Sequence, residues 1–114
     1  MTHGEAAMSN PQQGANAREV SEARKRAGAY LKGLRQNAGL TQRELAEKVG
    51  IAYYTFITQI EAGKGRVPPH AYPDWARALN VDVVEFAWEL MRFYDPDVYN
   101  IVRVDRRSHA ERNE

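Results

Sequence analysis

The run Thr41-Gln42-Arg43-Glu44 constrains this chain more than any other four residues. A threonine followed three positions later by a glutamate is a capping box. The hydroxyl accepts the N–H of the third helical residue and the carboxylate reaches back to the N–H of the cap, so a helix must begin there. Leu45, Ala46 and Val49 give that helix an inner stripe, and Gly50 stops it. A second short amphipathic segment follows at once, from about Tyr53 to Ala62. Phe56, Ile57 and Ile60 are expected to face inward and Gly63 to end it. Ala46 is small enough to let the second helix approach the first. The chain is thereby committed to two short helices joined through a glycine turn.

The flanking sequence continues the helical period. A first helix is expected from about Ser21 to Asn37, with Ala23, Ala27, Tyr30, Leu31, Leu34 and Ala38 at spacings of three and four and Gly39 as its stop. After the loop "GKGRVPPHAY", Pro73 suits the first turn of a fourth helix whose inner face is Trp75, Ala76 and Leu79. Asp82 and Glu85 form a second capping box for a fifth, from about Val83 to Tyr94. "DP" at Asp95 ends it, and the β-branched, weakly alternating "VYNIVRV" suggests a short strand. The expected architecture is all-α with five helices: a disordered leader over 1–17, a domain over 18–95, and an extension over 96–114 holding the strand and a disordered tail.

Composition narrows the chemistry. The chain has 114 residues and no cysteine, which removes disulfides, thiolate metal sites and a cysteine nucleophile together. His3, His70 and His109 are isolated and lack metal-ligand spacing, so no metal or cofactor is expected. Carboxylates such as Glu44 and Glu47 sit on an exposed helix without a nucleophile, and "GKG" lacks the spacing and following Ser or Thr of a phosphate loop. No catalytic residue is nominated and no enzyme is expected. No apolar run is long enough to span a bilayer, and the first residues lack the apolar core of a signal peptide, so the expectation is a cytoplasmic protein without a membrane partner.

The net charge is +1, but it is unevenly spread. Residues 18–66 carry ten basic and five acidic side chains; residues 67–105 carry three basic and seven acidic. Such a split is compatible with a polyanion held on one face, but on charge alone ordinary solvated charge is the favoured reading. Arg24, Lys25 and Arg26 read as a solvated helix start rather than as a phosphate grip.

The stretch from Leu31 to Phe86 resembles the Cro and phage-repressor family of DNA-binding domains, also called the xenobiotic-response-element family. The likeness rests on "LR" at Leu34–Arg35, "GLTQ" from Gly39, "ELA" from Glu44, "IE-x-G" from Ile60 and "P…WARALNV" from Pro73. It implies a repressor-like helix-turn-helix domain that sets helix three in the major groove of double-stranded DNA, usually as a dimer, in a bacterial or phage-type, nucleoid-associated regulator. By position, Gln42 and Arg43 at the start of helix two fall at the phosphates, Thr55, Thr58 and Gln59 at base edges, and Lys64 and Arg66 at the backbone. Arg35 and Glu61 fall to a structural ion pair.

Between Gly50 and Gly63 this chain runs one residue longer than the family pattern, near Tyr53 and Tyr54. One of these rings could meet a thymine methyl and offer its hydroxyl to a phosphate. Tyr53 is expected mainly to pack and Tyr54 mainly to face DNA.

Helix five is apolar most of the way round, which predicts burial on more than one side. Phe86, Trp88, Leu90, Met91, Phe93 and Tyr94, with Tyr99–Val104, are expected to supply a homodimer interface. The acidic C-terminal half leaves room for a protein partner. An antitoxin-type or other interaction module on the same fold is the alternative to a transcriptional regulator of the repressor kind.

Overall fold

The computed structural model describes residues 11–113, with side-chain surroundings for 16–104. Among these residues there are six α-helices: α1 (Pro11–Asn37), α2 (Gln42–Val49), α3 (Thr55–Glu61), α4 (Tyr72–Leu79), α5 (Val83–Tyr94) and α6 (Pro96–Asn113). A 3-10 turn, Pro69–Ala71, leads into α4.

The local signals act where the sequence puts them. The Thr41 hydroxyl accepts the Glu44 N–H at 3.1 Å, and the Glu44 carboxylate accepts the Thr41 N–H at 2.8 Å. Gly50 closes α2 at φ 76°, a left-handed conformation that an L side chain resists. Asn80 closes α4 in the same region, at φ 60°. Asp82 caps α5 by accepting the Glu85 N–H at 3.0 Å.

The core gathers one stripe from each of the first five helices. Ala27 and Leu31 come from α1, Leu45 and Ala46 from α2, Ile57 and Ile60 from α3, Trp75, Ala76 and Leu79 from α4, and Phe86 and Leu90 from α5. Val67, in the loop after α3, is fully buried among them. Phe86 meets Tyr72 edge-on at 5.8 Å between ring centres, and Tyr30 lies 6.0 Å from Phe93.

Gly28 governs how closely α1 and α3 approach. A Cβ at this position would stand 2.6 Å from the Glu61 carbonyl carbon and 2.8 Å from the Ile60 oxygen. Those are backbone atoms of the last turn of α3, so only a residue without a side chain lets the two helices meet at this depth.

Several expectations are corrected. α1 starts at Pro11, ten residues before the expected Ser21; residues 1–10, the larger part of the expected leader, lie outside the described residues. "VYNIVRV" is helical within α6, and no strand occurs among the described residues. A lone strand would leave its N–H and C=O groups without a ladder partner, whereas a helix started by Pro96 satisfies them internally and lets Tyr99 pack edge-on against Trp88 at 5.8 Å. α6 runs to Asn113; residue 114 lies outside the described residues. Phe56 does not face inward: it is 56% exposed, because Ile57 and Ile60 alone fill the space above α2.

The dimer set is divided as well. Phe86 and Leu90 are fully buried in the protomer's own core and cannot face a second copy. Phe93 and Tyr94 are partly buried against that core, and Trp88 and Met91 are half-buried.

Candidate nucleic-acid interface

A continuous hydrogen-bonded chain fixes α2 and α3 against α1. Arg35 on α1 donates from Nε to Glu61 Oε2 at 2.6 Å and from Nη2 to Glu61 Oε1 at 3.1 Å. Its Nη1 donates to the Leu40 carbonyl at 2.8 Å. The two side chains are 10% and 5% exposed, so the bidentate pair is nearly dry and strongly directional. Glu61 Oε1 also accepts from Gln42 Nε2 at 3.0 Å, and Gln42 Oε1 accepts from the Thr58 hydroxyl at 2.6 Å. The Glu61 carboxylate can only accept, which fixes the orientation of the Gln42 amide. That amide in turn dictates where the Thr58 proton points.

Gln42 and Thr58, nominated separately for a phosphate and for a base edge, are therefore bonded to one another. Gln42 also sits in the first turn of α2, where the backbone N–H groups lack partners within the helix. Thr55 and Gln59 are exposed, and they stand on the side of α3 opposite the buried Ile57. Lys64 is exposed just beyond α3, its N–H donating to the Gln59 carbonyl at 2.9 Å.

Tyr53, expected mainly to pack, is exposed, at 68%, and so is Tyr54, though less, at 37%. The Arg43 guanidinium lies 4.3 Å from the centre of the Tyr54 ring, a cation–π contact that ties the exposed side of α2 to the residue preceding α3. The reason is local: Tyr54 occupies the N-cap position of α3, directly beside α2, whereas Tyr53 projects from the turn before it.

Arg66 is held within the fold rather than standing beside Lys64. Its two terminal nitrogens bond Asp95 at 3.3 and 3.2 Å, Nη2 reaches the Tyr72 hydroxyl at 3.3 Å, and the guanidinium lies 4.3 Å from the centre of the Tyr94 ring. Burial by itself would lower the Arg66 pKa, but the hydrogen bond and charge of Asp95, with the Tyr72 hydroxyl, outweigh it and raise the value. Burial also raises the pKa of Tyr94, against a smaller opposing effect from the hydrogen bond its hydroxyl accepts from the Val67 N–H. Both phenols on this cluster, Tyr72 and Tyr94, are held in the neutral form.

Two residues that matter here are not nominated for the interface by the sequence. Phe56 lies on the exposed flank of α3; helical spacing alone puts it and Ile57 equally well over the core. Gly28 reads as an ordinary mid-helix glycine, and its only signal is a position next to Ala27 on the inner face. Among the described residues, no group of three or more His, Cys, Asp or Glu could hold a metal ion, and no helix is long and apolar enough to cross a membrane.

Two short helices joined through a left-handed glycine, the second anchored by Ile57, Ile60 and Glu61 with its other side open, define a helix-turn-helix protein. The chain belongs to the helix-turn-helix domain family, whose model matches residues 26–88, consistent with a DNA-binding domain of the Cro and repressor type. That span takes in the Arg35–Glu61 pair, α2 and α3, and ends inside α5; residues 11–25 of α1 and all of α6 lie outside it. No curated protein matches the chain.

Proposed function

We propose that this protein is a sequence-specific transcriptional regulator of the repressor kind, cytoplasmic and nucleoid-associated, which lays α3 in the major groove of double-stranded DNA as a homodimer. The observation that carries the reading is the pairing of an anchored inner face of α3 with an open outer one. Ile57, Ile60 and Glu61 tie the helix down, and Thr55, Thr58 and Gln59 stay accessible beside the capped start of α2. A glutamine can satisfy adenine N6 and N7 together, and a threonine offers either a hydroxyl or a methyl, so this face has the chemistry of base reading. Around it, Lys64, Arg43 and the first-turn amides of α2 suit phosphates. The ion pair with Asp95 favours a structural part for Arg66 over a phosphate contact.

The homodimer is assigned to α6 together with the exposed remainder of α5. Val98, Ile101 and Val102 make an apolar stripe at helical spacing that is exposed among the described residues, Ile101 most of all. A two-fold pair would present two α3 helices to half-sites one helical turn apart. The same stripe, with the acidic C-terminal half, also supports a second reading in which a protein partner is bound there, as in an antitoxin-type module. Sedimentation with and without DNA separates these two: a strict monomer in both states refutes the homodimer.

The DNA reading is tested by binding to random duplex over a salt series. The logarithm of the affinity is expected to fall linearly with the logarithm of salt, by about 0.9 for each phosphate neutralised. A flat response would refute it.

A further inference from the structure

α3 has two unlike flanks. On one side Thr58 is tethered to Gln42, so that flank is polar and rigid. On the other, Phe56 stands 56% exposed, and its N–H donates to the carbonyl of the still more open Tyr53 at 3.1 Å. Both aromatic side chains thus belong to the first turn of the helix and its approach, next to Thr55 and Gln59. The core does not use Phe56, because Ile57 and Ile60 already close it. Leaving that ring in water forgoes the stabilisation its burial would bring.

Resting on the major-groove reading above, we infer that Phe56, flanked by Tyr53, reads the 5-methyl group of thymine, so that the target carries a thymine at a fixed position in each half-site. The argument is chemical. A base edge in the major groove presents donors, acceptors and one kind of apolar group, the thymine methyl. A phenyl ring can neither donate nor accept a conventional hydrogen bond. Placed against any other base edge it would strip water from polar atoms without replacing those bonds, which penalises such sequences. Phe56 therefore selects both by contact with the methyl and by exclusion of bases that lack it.

The test begins with duplexes that the full-length protein selects from a random pool. Each thymine of the selected site is then replaced singly by deoxyuridine, which removes the methyl and leaves every hydrogen-bonding group in place. The wild-type protein is expected to lose about fourfold in affinity at one position per half-site, the equivalent of one buried methyl. Phe56→Ser should bind the dT and dU duplexes alike, while Phe56→Leu should retain the difference; circular dichroism melting checks that both variants are folded.

If the wild-type protein tolerates dU everywhere while Gln59→Ala still relaxes base choice, this inference falls and the major-groove reading stands. If Phe56→Ser abolishes self-association in sedimentation and leaves dU discrimination intact, the ring belongs to a protein contact and the inference is overturned. Salt-independent, non-selective behaviour of the wild-type protein overturns both.

Discussion

Gly28→Ala is the sharpest probe of how α3 is held. In an isolated helix the change would stabilise by about 1 kcal/mol, since alanine is the better helix former. Here the added methyl would stand 2.6 Å from the Glu61 carbonyl carbon and 2.8 Å from the Ile60 oxygen, where ordinary contact begins at 3.4 Å. Relief requires α1 and the end of α3 to separate by roughly 1 Å, since the Glu61 carbonyl oxygen stands closer still, and no obstacle is a side-chain tip that could swing aside. Overpacking of this kind costs about 1–3 kcal/mol and sometimes more, with the higher end expected when backbone must move. After the propensity gain, a net loss of about 1–2 kcal/mol remains, or a fall in Tm of about 4–8 °C for a chain of this size. Thermal melting followed by far-ultraviolet circular dichroism measures it. DNA affinity should fall as well, because the shift displaces Glu61 and, through it, Gln42 and Thr58. A melting temperature equal to or above that of the wild type would refute the claim that Gly28 sets the α1–α3 distance.

Three further expectations bear on the same frame. Glu61→Ala strands the Arg35 guanidinium, nearly buried, with only the Leu40 carbonyl, and should cost about 3–5 kcal/mol in urea unfolding; the double change Arg35→Met with Glu61→Leu should be far milder. A single variant no less stable than the wild type would deny the pair its structural part. Lys64→Ala is expected to flatten the salt slope by about one unit with little change in Tm, whereas Arg66→Ala should lower Tm and leave the slope nearly intact; the reverse pattern would return Arg66 to the phosphates. Thr41→Ala removes the acceptor for the Glu44 N–H and should cost about 1 kcal/mol by denaturant titration, a loss whose absence would mean that water replaces the cap fully.

What could be read in advance divides along a physical line. The start of α2 is dictated by two residues three apart, and its end by one glycine, so both are written in neighbouring positions. The same holds for Asp82 at the start of α5. Phe56 was misplaced because facing depends on which of two adjacent apolar residues the partner helices leave room for, and that is a property of α1 and α2 rather than of α3. Arg66 was misread for a related reason: its carboxylate lies 29 positions away, at the junction of α5 and α6, and no local pattern links them. "VYNIVRV" illustrates the limit of β-branched composition as a signal. Strand formation needs a neighbour, and the helix-initiating proline at 96 together with Trp88 decided otherwise.

The bond from Thr58 to Gln42 has a consequence for anyone who would retarget this protein. The two positions lie 16 residues apart on different helices, yet the Gln42 oxygen, oriented by Glu61, accepts from whatever donor stands at position 58. Libraries that randomise α3 alone would score each amino acid at position 58 in the company of a glutamine selected for threonine, and would discard solutions that need a different residue at 42. Varying both together samples the chemistry as the molecule holds it.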